Sequence, residues 1–390
     1  MSEWKKVKLG DVCSKIGSGA TPSGGSRVYI DQGISFIRSQ NVYNLNFDYE
    51  GLTHITDDAA QKLSGVTINE NDVLLNITGD SVARTCIVPP NVLPARVNQH
   101  VSIIRPKQDI IISKYLNYYL ASPYMQSVML GLAVGKGASR NAITKTMIEN
   151  FGVPCPPLET QQKIAGILST YDDLIENNRK QIKLLEEAAQ KLYKEWFVKM
   201  NFPGHENTKI IDGVPEEWKK GTVFDLGEFK RGKTITKDQT ILGPIPVVAG
   251  GLEPAYYHNE SNTDSPVITV SGSGANAGFT RMYYEKVWAS DCSYLDISKC
   301  ENLYFVYCIL KNSKAEIDNL QKGAAQPHVY AKDVNAINTL IPCQVLLEKF
   351  SAVVKVYFEK IRAVQKQIID LQSARDKLLP KLMNGEIDVK

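Results

Sequence analysis

Two stretches of the chain place apolar residues at alternating steps of three and four. From residue 164 the stripe runs through Ile164, Leu168, Tyr171, Ile175, Asn178, Ile182, Leu185, Ala189, Leu192 and Trp196, with Asn178 as its one polar member. From residue 350 the same spacing runs through Phe350, Val354, Tyr357, Ile361, Val364, Ile368, Leu371, Arg375, Leu378 and Leu382. A 3.5-residue period kept for more than four heptads predicts long helices that bury their stripes against one another. The residues taken to pack helix on helix are Leu168, Tyr171, Ile175, Ile182, Leu185 and Leu192 in the first, and Val354, Tyr357, Ile361, Ile368, Leu371 and Leu378 in the second. Pro157 precedes the first helix and Pro203-Gly204 follows it; Pro380 and Gly385 mark the end of the second. About 40 residues at ~1.5 Å each make a rod of roughly 60 Å. Elsewhere the pattern is of short β-like runs: Val73–Ile77, Val101–Ile104, Val267–Val270 and Tyr294–Ile297. Gly, Ser, Asn and Pro clusters separate them, and helices are expected near 113–130 and 302–320.

These elements occur twice. Glu3-Trp4-Lys5-Lys6 returns as Glu217-Trp218-Lys219-Lys220, an offset of 214. Lys136-Gly137-Ala138 returns as Lys322-Gly323-Ala324, and Lys180-Gln181-Ile182 as Lys366-Gln367-Ile368, both at an offset of 186. Residues 163–192 and 349–378 share ten identities in thirty positions, where about two are expected from ordinary composition. The second copy is 28 residues shorter, all of it lost before the helix. The fold class read from this is α+β: two globular domains separated by two long antiparallel coiled-coil helices, related by an internal pseudo-twofold repeat.

Composition narrows the class. At 43% apolar and 22% charged, the 390 residues are ordinary for globular domains. No run approaches 18 apolar residues, which argues against a membrane span, and the N-terminus lacks the apolar run of a signal peptide. Seven scattered cysteines without a CxxC pair speak against disulfides and structural zinc and for a reducing, cytoplasmic setting. The five histidines show no metal-ligand spacing. There is no D/N-P-P-Y/F loop and no Walker A motif. Gly272-x-Gly274-x-x-x-Gly278 reads as a turn, and Asp225 with Glu228 and Lys230 is a spacing common by chance. No catalytic residue, metal site or cofactor is expected in this chain.

A duplicated, non-catalytic module suits a reading device, and charge locates where it would read. Net charge by segment is +3 over 1–150, 0 over 151–200, −3 over 201–345 and +3 over 346–390. Attraction to phosphates is therefore local. Lys230-Arg231-Gly232-Lys233 gathers cations in one loop, and Arg38-Ser39-Gln40-Asn41 follows a short strand. The loop 136–141 matches 322–328 at the same place in the repeat. The residues expected to contact DNA are Thr21, Arg38, Gln40, Asn41, Lys136, Ser139 and Arg140 in the first copy. In the second they are Lys230, Arg231, Lys233, Lys322, Gln326 and His328. Arg38, Gln40 and Asn41 have donors suited to base edges; Lys136, Lys230 and Lys233 suit phosphates. On the residues alone, a self-contained methyltransferase or nuclease and a protein-binding scaffold stay open.

Over its whole length the chain resembles the DNA-specificity (S) subunits of Type I restriction-modification systems. The likeness is carried by Gly17-Ser18-Gly19-Ala20-Thr21-Pro22, Thr78-Gly79-Asp80-Ser81 and Asn98-Gln99-His100-Val101. It continues in Pro156-Pro157-Leu158-Glu159-x-Gln161, Phe202-Pro203-Gly204-His205-Glu206 and Leu378-Leu379-Pro380-Lys381-Leu382. The second copy departs from the pattern, with Gln344-Val345-Leu346 where the first has Pro156-Pro157-Leu158. The resemblance implies target-recognition domains at 1–155 and 202–343, with conserved spacer helices at 156–201 and 344–390. Each domain would read one half of a bipartite, asymmetric double-stranded DNA target. The helices would set the spacing and dock two methyltransferase subunits. Those partners would bind S-adenosylmethionine, and restriction/translocase subunits would use ATP and Mg; there is no membrane partner and no cofactor in this chain.

Overall fold

The computed structural model describes residues 4–134, 142–321 and 327–389. It divides into two units, Met1–Glu176 with Ile369–Lys390, and Asn177–Ile368.

In the first unit a four-stranded antiparallel sheet runs in the order Thr85–Ile87, Val73–Asn76, Val101–Pro106, Cys13–Ser18. Val73, Leu74, Leu75 and Asn76 are all buried. The strand is covered on both faces, so its sequence is an apolar run without alternation. A second sheet has Ile34–Ile37 parallel to Ala95–Val97, with Thr53–Ile55 antiparallel to the former. Lys6–Lys8 pairs with Gly152–Pro154. The second unit repeats this wiring. Its four-stranded order is Thr280–Tyr283, Val267–Ser271, Cys292–Asp296, Lys230–Arg231. Ile245–Val248 lies parallel to Trp288–Ala289, and Tyr256–His258 is antiparallel to it. Lys219–Thr222 pairs with Asn338–Ile341.

The register shows where the second copy is shorter. Ile37 pairs with Val97 as Val248 pairs with Ala289, an offset of 211 on the first member. Asn76 pairs with Val101 as Ser271 pairs with Cys292, an offset of 195 on the first member. More than half of the deficit thus falls between residues 37 and 76. That interval of the first copy holds the helix Asp57–Lys62 and the strand Thr67–Ile68, for which the second copy has no counterpart among the described residues.

The long helices are Leu158–Tyr193, continued by a π-helical turn Lys194–Val198, and Gln344–Met383. Each lends one part to each unit. In the first unit Ile164 and Leu168 pack with Leu379, Leu382 and Met383. In the second, Ala189, Tyr193 and Phe197 pack with Phe350 and Val354. The beginning of one helix lies along the end of the other, so the pair is antiparallel. Ile175, Ile361 and Val364 are buried as the heptad predicts, while Tyr171, Ile182, Leu185, Tyr357, Ile368 and Leu371 are half-buried.

Four details differ from the sequence reading. Near its end the first helix buries Tyr193 and Phe197 fully and leaves Leu192 and Trp196 half-buried. The π turn and the drift of a 3.6-residue helix against a 3.5 repeat rotate the stripe. In the second helix Leu379 is buried and Leu378 half-buried, a shift of one position. The second helix also runs through Pro380 to Met383 before Gly385, at φ +69, leaves the helical conformation. The helices expected near 113–130 and 302–320 are each split: Ser113–Ala121 and Pro123–Ala133, then Leu303–Asn312 and Lys314–Asn319. Ser122 ends the first piece and caps the next, its hydroxyl accepting from Met125 N, with Pro123 at the first helical position.

Candidate nucleic-acid interface

In the first unit the strand ends converge on one polar rim. Gly19 N donates to Val101 O at 2.9 Å and Ala20 N to Val97 O at 3.0 Å. Asn98 N donates to Ile37 O at 3.0 Å, which brings the Arg38–Asn41 turn to the same edge. A Cβ on Gly19 would sit 2.0 Å from Val97 O, so no side chain fits there. A line of polar side chains crosses the rim. The Thr21 hydroxyl bonds Gln99 Oε1, Gln99 Nε2 lies 3.0 Å from His100 Nε2, and His100 Nδ1 lies 2.6 Å from Thr78 Oγ1. The Arg84 guanidinium stands 4.5 Å above the Tyr43 ring nearby in the chain's fold, next to the bond from Asn76 N to Arg84 O.

The second unit builds the same rim from different side chains. Gly232 N donates to Cys292 O at 2.8 Å and Lys233 N to Ala289 O at 2.9 Å, matching Gly19 and Ala20. A Cβ on Gly232 would meet Ser290 O at 2.4 Å. Where Thr78 bonds His100, the Ser273 hydroxyl bonds Asp291 Oδ2. Asn76 Nδ2 donates to Ser39 O at 2.8 Å, and Ser271 Oγ donates to Gly250 O at 3.2 Å. The turn Arg38-Ser39-Gln40-Asn41 thus corresponds to Ala249-Gly250-Gly251-Leu252, and Gly17-Ser18-Gly19-Ala20 to Lys230-Arg231-Gly232-Lys233. The cations have exchanged strands between the copies.

The expected contact residues fall into three groups. Thr21, Gln40, Lys230, Arg231 and Lys233 are exposed, and Arg38 and His328 half-exposed. His328 bridges to Ser273 and its ring stacks on Tyr330 with centroids 5.8 Å apart, so it belongs to the second rim. Lys233 Nζ lies 5.8 Å from the Trp288 ring centroid. Arg38 Nη2 donates to Gly51 O at 2.8 Å, and Gln40 Nε2 reaches the same oxygen at 3.3 Å. Asn41 is a correction. It is fully buried; its amide donates to Asp48 O at 2.9 Å and Glu50 O at 3.3 Å and accepts from Arg38 N at 3.0 Å. An amide spent on the backbone has nothing left for a base edge, so Asn41 shapes the turn that presents Arg38. Lys136, Ser139, Arg140, Lys322 and Gln326 lie outside the described residues.

Thr78, Gln99 and His100 stand in the segments that carry the resemblance but were not among the expected contact residues, and Ser273 and Asp291 were not singled out at all. Pairing the two copies strand by strand would have set His100 opposite Asp291. Among the described residues no group of His, Cys, Asp or Glu is arranged to hold a metal, and no helix is long and apolar enough to cross a membrane.

The family model for the Type I restriction modification DNA specificity domain matches twice, over residues 1–187 and 215–388. The chain belongs to this family. The two matches coincide with the two copies of the repeat. Among curated relatives, the Type I restriction enzyme MjaIX specificity subunit of Methanocaldococcus jannaschii is 28% identical, with 100% of this chain and 94% of the relative aligned. The HindI specificity subunit of Haemophilus influenzae is 22% identical over 99% of this chain and 100% of its own length. The fold is similar to that of the Type-I restriction-modification system S subunit from M. genitalium, with TM-score 0.56 and 17% identity over 99% of this chain and 97% of that one. As a member of the specificity family the chain recognises DNA and is non-catalytic; the catalytic activities of Type I systems lie in partner subunits.

Proposed function

We propose that this chain is the part of a Type I restriction-modification complex that reads two different half-sites of one DNA target. The observation carrying this is the repeated rim: one backbone frame in two copies with different side chains at matching positions. Identical frames with different donors and acceptors are what two halves of an asymmetric target require. The segments 1–155 and 202–343 act as recognition domains, and the helical segments 156–201 and 344–390 set the half-site spacing and dock two methyltransferase subunits. Those subunits bind S-adenosylmethionine; restriction/translocase subunits bring ATP and Mg. The complex works on chromosomal and invading DNA in the cytoplasm.

Thr21, Arg38, Gln40, Lys136, Ser139 and Arg140 contact the first half-site, and Lys230, Arg231, Lys233, Lys322, Gln326 and His328 the second. Arg38 and Gln40 approach base edges, while Lys136, Lys230 and Lys233 hold phosphates. Sequencing of DNA methylation in cells with and without the chain tests the reading. A bipartite motif whose methylation vanishes with the chain supports it, and exchange of residues 1–155 for those of a relative changes one half only. Arg38→Ala is expected to cost ~1–3 kcal/mol and to relax one position of the first half-site. Equal loss on all sequences would place Arg38 on the phosphate backbone instead.

A further inference from the structure

We infer that Asp291 is a specificity-determining residue of the second recognition domain, selecting a base that presents an exocyclic amino group in the major groove, adenine or cytosine. The inference rests on the DNA-reading function proposed above and adds the residue and the base class to it.

Asp291 closes the turn before the strand Cys292–Asp296, at the place His100 takes before Val101–Pro106. Both side chains are half-exposed and both are held by a hydroxyl from the end of the neighbouring strand, Ser273 or Thr78. Backbone fixes the turn as well: Gly272 N donates to Asp291 O at 3.1 Å, and Gly274 at φ +79 turns the chain away beside it. The side chain is thus fixed on the rim. Ser273 occupies Oδ2, and among the described residues Oδ1 has no partner. An ionised carboxylate only accepts, and in the major groove the groups that donate are the cytosine N4 and adenine N6 amines.

A negative charge on a DNA-facing rim meets phosphate repulsion, and the second unit carries cations to offset it. Arg231 pairs in register with Ser293 on the strand that Asp291 precedes, Lys233 lies two residues further on, and Lys230 beside them is paired with Glu228 at 3.7 Å. The first unit, with His100 at this place, has Gly17, Ser18 and Ala20 there. The three cations occur in the copy that has the acid.

The test uses cells producing the full chain with its methyltransferase subunit, and genomic methylation as the readout. Asp291→Asn keeps the shape and the Ser273 bond but adds a donor. It should lower discrimination at one adenine or cytosine position of the second half-site by roughly tenfold, while the first half-site stays as it was. That unchanged half also shows that the variant is folded. His100→Asp, carrying the arrangement into the first domain, should create an adenine-or-cytosine preference at one position of the first half-site only. An unaltered motif with both variants, or methylation lowered evenly on all sequences, would overturn the assignment. A parent chain that directs no bipartite methylation would instead defeat the broader reading, before any variant is compared.

Discussion

Gly19 and Gly232 show how much a single residue type can be required by its surroundings. Each lies where a Cβ would stand 2.0 Å and 2.4 Å from a backbone carbonyl of the neighbouring turn. Gly19→Ala and Gly232→Ala are each expected to destabilise their own unit by ~2 kcal/mol or more, because the clash is with backbone that cannot turn aside. Urea unfolding followed by the tryptophans of the intact chain measures this. Asn41→Ala should cost about 2–3 kcal/mol, since it leaves the carbonyls of Asp48 and Glu50 without their donor in a buried place. Loss of stability without a change of DNA motif would confirm its part in shaping the turn. The residue scale is where the sequence was hardest to read. Arg38, Gln40 and Asn41 are neighbours in one polar run, yet one is buried and two are not. Composition cannot tell an amide that faces its own backbone from one that faces out.

Among the elements, the long helices were legible because a heptad repeat is a long-range, redundant signal. Their stripes were misread at Tyr357, where Phe358 is buried instead, and in the last turns, where Tyr193, Phe197 and Leu379 take the buried places. The contacts that hold each domain to its helices were not legible, and they differ between the copies. In the first unit the Tyr118 hydroxyl donates to Asp172, whose other oxygen lies 2.5 Å from Arg375 Nη1. Burial and the adjacent Asp172 carboxylate push the Tyr118 hydroxyl well above the ordinary phenol range. In the second unit the residue matching Asp172 is Phe358, stacked on Tyr304 at 4.7 Å and edge-on to Tyr307 at 5.7 Å. One copy fastens domain to helix with the Tyr118–Asp172 hydrogen bond, backed by an ion pair between the two helices, the other with aromatic rings. Asp172→Ala is expected to cost roughly 3 kcal/mol by leaving Arg375 only partly paired in a site where its side chain is 14% exposed. Phe358→Ala should cost a similar ~3–5 kcal/mol through a cavity. A salt series separates them, with only the former sensitive to ionic strength in the parent chain. Gln161 explains a motif that the sequence displayed without a reason. It is buried and ties the first helix to the domain through Pro156 O, Ile110 O and Ile112 N at 2.9–3.0 Å, and the second copy has Leu347 at that place.

For the whole molecule, the duplication was readable from a few identical words, and the matching strand orders come from it. The pairing of rims was not, because the copies differ in length between residues 37 and 76 and drift out of simple alignment. Both units share one chemical liability. Burial pushes the thiols of Cys13, Cys86 and Cys292 up to about 12 and that of Cys300 up to about 11. The folded chain keeps protons that the unfolded chain releases above roughly pH 8.5. Their stabilisation is therefore complete below that pH and is lost as pH rises toward 11–12. The melting temperature should fall steadily from pH 8.5 to 11, less steeply in Cys86→Ala; a flat profile would refute it. A different consequence follows from the division of the chain. The second unit is one continuous stretch, Asn177–Ile368, whereas the first takes Ile369–Lys390 into its core through Leu379, Leu382 and Met383, with Trp4 set against Gly385. During synthesis at roughly 5–20 residues per second, the apolar face at Ile164 and Leu168 waits on the order of ten to forty seconds for its partner. Among the two units, the one begun first on the ribosome is the one finished last.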